Sequence, residues 1–266
     1  PGYFKPAFTS AVALAGGDPE EVRLASFREP GAGTTDSTER AKAILACAVH
    51  GVPYPLVAVP GTTTVNPSTL VVGAGIAGIQ AAIEIADAGK HVYLVEREPT
   101  IGGHMAMFDK TFPTLDCSAC ILTPKMVAVG NHERISLMTC SEVVGVGGGP
   151  GAFKVEVLRR ARRVDAASCV ACNACTDICP VSVPSEFDCS LTFRKAIYIP
   201  FPQAVPNAYV VDPETCTYVQ TDGRKCGACR KNCPKECIDL DQNDETLQLE
   251  VANIILATVY DLYDAA

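Results

Sequence analysis

The sequence predicts an α/β chain in which a Rossmann-like dinucleotide-binding domain, for flavin or nicotinamide, carries an inserted two-[4Fe–4S] ferredoxin domain. Three observations carry this. An apolar run enters the glycine turn Gly73-Ala74-Gly75-Ile76-Ala77-Gly78, and a helical pattern leaves it. Cys169, Cys172, Cys175 and Cys179 follow C-x2-C-x2-C-x3-C, and a near repeat follows at Cys216, Cys226, Cys229 and Cys233. Finally, residues 247–257 (LQLEVANIILA) read as a strand pair that returns to the first domain.

Taken in order, residues 1–60 form a weakly patterned leader. A helix is expected over Thr38–His50, with Ser37 or Thr38 as its cap and Gly51 just past its end. Pro53, Pro55 and Pro60 mark a linker. The first part of the dinucleotide-binding domain is expected over 61–164. It begins with strand Leu70–Val72, the glycine turn, a helix through Ala88 stopped by Gly89, and strand His91–Val95. Short strands around a glycine-rich turn at Gly145–Gly151 are expected within 135–158. The ferredoxin domain takes 165–245, and 246–266 return to the first domain.

Each glycine of the turn has a physical task. Gly73 permits the tight turn, Gly75 lets the backbone approach a pyrophosphate, and Gly78 lets helix and strand pack closely. The N–H groups opening the helix at Ile76 and Ala77, with its positive dipole end, suit phosphate. Glu96 ends the next strand, where it accepts hydrogen bonds from the adenosine ribose. A glycine turn without a ligand is the bland alternative, and the complete strand–turn–helix–strand–acid context weighs against it.

Bacterial ferredoxins exchange the fourth cysteine between runs. That places Cys169, Cys172, Cys175 and Cys233 on one cluster, and Cys216, Cys226, Cys229 and Cys179 on the other. Pro180 and Pro234 turn the chain after the crossing residues. Zinc also suits paired C-x2-C motifs, but two near-repeats each ending in Cys-Pro favour iron–sulfur. Cys237 offers a replacement ligand for the irregular second run, but is expected to be an inert packing residue. The insertion Thr217–Lys225 is a docking loop or a surface loop without a role. Arg159, Arg160, Arg162 and Arg163 offset cluster charge, meet an acidic partner, or form a solvated strand edge. Cys117 and Cys120 form a third C-x2-C, whose spacing alone leaves metal, redox disulfide and packing open.

Composition narrows the class. In 266 residues, 48% hydrophobic, disorder is excluded. Fourteen cysteines with ferredoxin spacing point to metal thiolates and a reducing cytoplasm rather than secreted disulfides. A net charge of -8 argues against nucleic acid, and no apolar run is long enough to span a bilayer. Residues 7–15 imitate a signal-peptide core but lack its basic flank. The chain starts at Pro1 rather than Met, which suggests processing or a piece of something longer.

Two stretches carry a family resemblance. Glu96-Arg97-Glu98-Pro99 followed by Ile101-Gly102-Gly103 resembles the FAD-binding disulfide-reductase superfamily. Asp109–Val127 and Arg194–Asn207 resemble the FAD and iron–sulfur A-subunit of heterodisulfide reductase, closely over residues 65–262 and weakly upstream at Ser26-Phe27-Arg28-Glu29. The resemblance implies a thioredoxin-reductase-like FAD domain, with Arg97, Gly102 and Gly103 joining the flavin site. It implies electron transfer between FAD and clusters, with flavin-based bifurcation in some members. The disulfide is then reduced on a cysteine-rich partner, beside an iron–sulfur subunit, with hydrogenase, formate dehydrogenase or ferredoxin as exchange partners. It also implies that Cys117 and Cys120 hold a third cluster, with Cys47 and Cys140 as spare thiols. The alternatives are an electron-input subunit for another acceptor, an aromatic acyl-CoA or a quinone, and a flavin-free iron–sulfur relay. Two departures stand out: Pro30-Gly31-Ala32-Gly33 replaces the family's cysteine after Arg-Glu, and Val259 replaces its closing glycine. The sequence also stops before the family's second dinucleotide domain.

Overall fold

The structure, a computed structural model, describes residues 5–17, 22, 37–50 and 66–258. The expectations placed on Ser26–Glu29, Pro30–Gly33, the proline linker and Val259 fall outside those residues. Residues 1–63 and 64–266 form two compact units. The first contains α1 (Lys5–Leu14) and α2 (Ser37–His50). Helix α2 has Glu39 in its first turn, paired with Lys42 at 2.8 Å, and His50 in its last. Among the described residues no helix is long and apolar enough to cross a membrane.

The second unit is built on a four-stranded parallel sheet. Its strands are β1 (Thr69–Val72), β2 (Val92–Val95), β3 (Ile135–Met138) and β11 (Asn253–Leu256), in the order β11-β1-β2-β3. Helices α3 (Ile76–Asp87) and α4 (Ser118–Asn131) cover one face. An antiparallel sheet of β4 (Ser141–Gly149), β5 (Ala152–Arg159) and β10 (Glu245–Val251), ordered β10-β5-β4, covers the other.

Strand alternation explains the sandwich. Val71, Val92 and Leu94 point to the helical side and pack with Ile79, Ala82 and Ala86 of α3 and Leu122, Met126 and Val129 of α4. Leu70 and Val95 point the other way and pack with Val155, Val157, Leu249 and Val251. Burying a large aliphatic side chain contributes roughly 1.5–3 kcal/mol, so these two layers fix the register of every strand.

The glycine-rich segment differs from expectation. Ser141–Gly149 is one continuous strand opposite β5, with a bulge between Val143 and Gly145, and the chain reverses only at Pro150–Gly151. Strand pairing with the Val- and Phe-bearing β5 overrides the turn preference of glycine.

Between β5 and β10 the chain leaves the sandwich. It forms short helices α5 (Ala174–Asp177), α6 (Thr217–Gln220) and α7 (Ala228–Lys231). With them are the hairpin pairs β6–β7 (Val183–Pro184 with Phe193–Arg194) and β8–β9 (Ile197–Tyr198 with Val210–Val211). Few aliphatic residues fill this part. Its core is Val164, Ala196, Ile197, Tyr209, Val211, Ile238 and Leu240 packed around cysteines.

Candidate functional site

Two small cavities lie in this cysteine core. One holds about 360 Å³ of space, counted to its open mouth, and is lined by Cys179, Cys216, Cys226 and Cys229. The other holds about 300 Å³, counted alike, and is lined by Cys169, Cys172, Cys175, Cys233 and Cys237. Each cavity therefore gathers three cysteines of one run and the last cysteine of the other. The loops reach this arrangement through left-handed backbone: φ is +52° at Ala171, +68° at Asn173, +74° at Cys226 and +91° at Gly227. Non-glycine residues accept that conformation at a cost of about 1–3 kcal/mol, which persists only where the surroundings fix it. Tyr209 contributes, donating from its hydroxyl to Asn173 Oδ1.

Burial acts on two of these thiols. It pushes Cys175 up to about 12 and Cys229 up to about 11. Metal ligation requires thiolate, so loading these sites releases protons. Among the described residues no three His, Cys, Asp or Glu side chains converge on a point fit for one metal ion.

A larger cleft, about 2940 Å³ counted to its mouth, opens at the carboxyl ends of β1, β2 and β11. Chain order reverses there, with β2 on one side of β1 and β11 on the other, the usual ligand position in open parallel sheets. Gly73, Gly75, Glu96, Arg97 and Gly103 line it. Ile76, Ala77, Gly78 and Gly102 stand behind the wall. At Gly73, with φ +96°, an added Cβ would lie 2.7 Å from the Ala257 carbonyl oxygen. At Gly78 it would lie 1.9 Å from the Gly73 oxygen, so only glycine allows this contact between helix and turn. Gly102 pairs with Gly75 in a parallel bridge and donates from its N–H to Ala74 O at 2.8 Å. Gly75 caps α3 with no side chain on the free N–H groups of the first turn. Glu96, 9% exposed, accepts from Ala74 N at 2.7 Å and Glu98 N at 3.0 Å. It thus clamps the turn, one carboxylate oxygen taking each of these bonds. A glycine cradle, uncapped helix start and carboxylate fit a dinucleotide.

The opposite wall comes from the cysteine-bearing part. Arg194 donates to Glu186 at 2.5 Å and 2.6 Å and to Asp212 at 2.9 Å, and stacks 4.1 Å from the Tyr198 ring. Burial opposes the charge on Arg194, but those carboxylates raise its pKa above its ordinary value. Burial pushes Tyr198 up to about 12. Phe201 and Val205 pack on the helical core, and Ile101 N donates to Val205 O at 3.1 Å. Sequence reasoning missed this wall; the only signal was the unusual stretch Arg194–Asn207.

It also missed Arg162. A solvated edge was one reading of the arginine run, and it holds for Arg160, which pairs with Glu142 at 2.6 Å on the surface. Arg162 is buried instead. It donates to Ala208 O at 3.0 Å, Tyr209 O at 3.1 Å and Thr139 Oγ1 at 3.2 Å, and also to Pro99 O. Burial lowers its pKa. The loop Thr217–Lys225 is likewise tied down: Tyr218 donates to Asp241 at 2.8 Å, and Arg230 reaches the same carboxylate at 2.8 Å.

Cys117 and Cys120 stand side by side at the start of α4, with Cα atoms 5.3 Å apart and their sulfurs adjacent. Cys117 caps α4, accepting from Cys120 N at 3.2 Å, so C-x2-C spacing at a helix start turns both sulfurs to one side. Of the spare thiols, Cys140 is buried beside the cleft and Cys47 belongs to the first unit.

Comparisons agree with this geometry. A family model for FAD-dependent oxidoreductases matches residues 69–109, the glycine turn through Gly103 and the loop beyond it. The iron–sulfur A-subunit of the CoB–CoM heterodisulfide reductase of Methanocaldococcus jannaschii is 41% identical over 276 residues, covering 100% of this chain and 40% of its own length. The chain is similar to several proteins named as heterodisulfide reductase A-subunits, at 40–46% identity over most of its length. The heterodisulfide reductase A-subunit-like protein of Archaeoglobus profundus is 46% identical, over 86% of this chain and 35% of its own. The A-subunit of the H2:CoB–CoM heterodisulfide,ferredoxin reductase of Methanothermobacter marburgensis is 40% identical, over 99% of this chain and 40% of its own. The chain thus spans about two fifths of these relatives.

Proposed function

We propose that this chain is an electron-transfer part of an oxidoreductase of the heterodisulfide reductase type. It would hold FAD at the glycine turn and two [4Fe–4S] clusters on the two cysteine sets. The observation that carries the reading is the pairing of the two cavities with the cleft in one compact unit. Ile197, Tyr198 and Val211 belong to the strands between them: Ile197 and Val211 line a cysteine cavity, and Tyr198 and Val211 line the cleft. Bound there, a flavin and clusters supply exchange between two-electron and one-electron redox chemistry.

The chain's own residues position and insulate. Gly73, Gly75 and Gly103 leave room for a pyrophosphate against the start of α3, and Glu96 takes the ribose hydroxyls. Arg97 lines the same end of the cleft. Cys169, Cys172, Cys175 and Cys233 hold one cluster; Cys179, Cys216, Cys226 and Cys229 hold the other. Val164, Tyr209, Ile238 and Val211 keep water from them. Reduction of a terminal disulfide is assigned to other subunits of a multi-subunit complex.

Gly75→Leu tests the reading. The side chain would fill the cradle, so the purified variant should lose most of its flavin while keeping the wild-type iron. Acid-released flavin fluorescence and iron analysis on one anaerobic sample check this. A variant with stoichiometric FAD places the flavin elsewhere.

A further inference from the structure

Five thiols surround one cluster cavity where four would complete a ligand set. The fifth, Cys237, is 9% exposed and lines the cavity. Its Sγ lies 3.5 Å from Cys233 Sγ, and it also reaches Cys169. Once Cys233 binds iron as thiolate it has no proton to give, so the S–H of Cys237 is the donor in this pair. The repeat makes the feature asymmetric. Four residues after Cys179, the matching crossing residue, stands Val183, which carries no donor.

We propose that Cys237 is a positioning residue that hydrogen-bonds the Cys233 sulfur and raises the reduction potential of the cluster on Cys169, Cys172, Cys175 and Cys233 above that of its twin. A hydrogen bond to a ligand sulfur withdraws negative charge and stabilises the more negative, reduced cluster. Reduction adds one electron to the cluster, and the proton stays on Cys237. The inference rests on the cluster assignment above.

The test is an anaerobic potentiometric titration followed by EPR on the holo chain, comparing wild type with Cys237→Val, Cys237→Ala and Cys237→Ser. The cluster lost in Cys226→Ser identifies the other centre. Val and Ala should keep the wild-type iron and move one midpoint, that of the Cys233 cluster, to lower potential. Ser, which restores a donor, should recover most of the shift. Two apolar variants are included so that misfolding of one leaves the other to report. The proposal is overturned if both midpoints stay fixed, if both move together, if Ser behaves like Ala, or if the apolar variants lose a cluster's iron. A wild-type chain without this cluster overturns the cluster assignment along with it, whereas intact clusters with unmoved potentials overturn this inference alone.

Discussion

Arg162 shows how much one side chain carries. Its guanidinium forks between Pro99 at the cleft and Ala208 and Tyr209 on the cysteine-bearing side. Arg162→Met should leave these carbonyls unpaired. Unpaired buried acceptors cost about 1–3 kcal/mol each, so a loss of roughly 3 kcal/mol is expected. Denaturant unfolding of the holo chain measures it, and a loss under about 1 kcal/mol would contradict the role. Lysine should not rescue, because one ammonium cannot reach both sides in a fork. Sequence made some residues legible and not others. Gly73 and Gly78 were readable because the tight turn and the close helix contact they permit depend on backbone conformation and local order. Arg162 was not, since a run of four arginines looks solvated until the burial of its third member is known. Cys117 and Cys120 were half readable: spacing made them neighbours but could not choose between iron and a mutual bond.

Among the elements, strands and helices with strong periodicity matched the reading. The helix from Ile76, the strand at Val92–Val95 and the returning pair β10 and β11 all follow from apolar patterns. The glycine-rich strand β4 did not, because pairing with β5 is non-local. The cysteine loops are elements of another sort, too short for periodicity and shaped by what they enclose. Their crossed arrangement leads to a specific outcome for Cys179→Ser. This variant should damage the cluster at Cys226 and Cys229, not that of its own run. Iron should fall by up to about four atoms per chain, and EPR should retain the signal that Cys169→Ser abolishes. Loss of the Cys172 cluster instead would refute the exchange.

At the scale of the whole molecule, the cysteine-bearing part leaves and re-enters the sandwich at one place. Arg159 is paired with Glu245 in antiparallel register. Beyond them Ala161 N meets Asp244 at 2.8 Å, Arg163 N meets Gln242 at 2.6 Å, and Val164 bridges Ile238. The two connecting strands thus run side by side. Replacing residues 160–244 by Asn-Gly should join β5 to β10 as a tight hairpin. The shortened chain should bind no iron and keep a cooperative fold of the sandwich, with flavin held more weakly because Arg194, Tyr198 and Phe201 are gone. Circular dichroism melting and flavin titration check this; a chain that cannot fold would show that the sandwich depends on its insert.

That shared doorway has a thermodynamic side. A chain whose ends already meet adds little cost with length: each doubling of a closed loop costs only about 0.6 kcal/mol. The whole insert between Arg159 and Glu245 therefore hangs from one hairpin tip, without re-threading a strand of the sandwich.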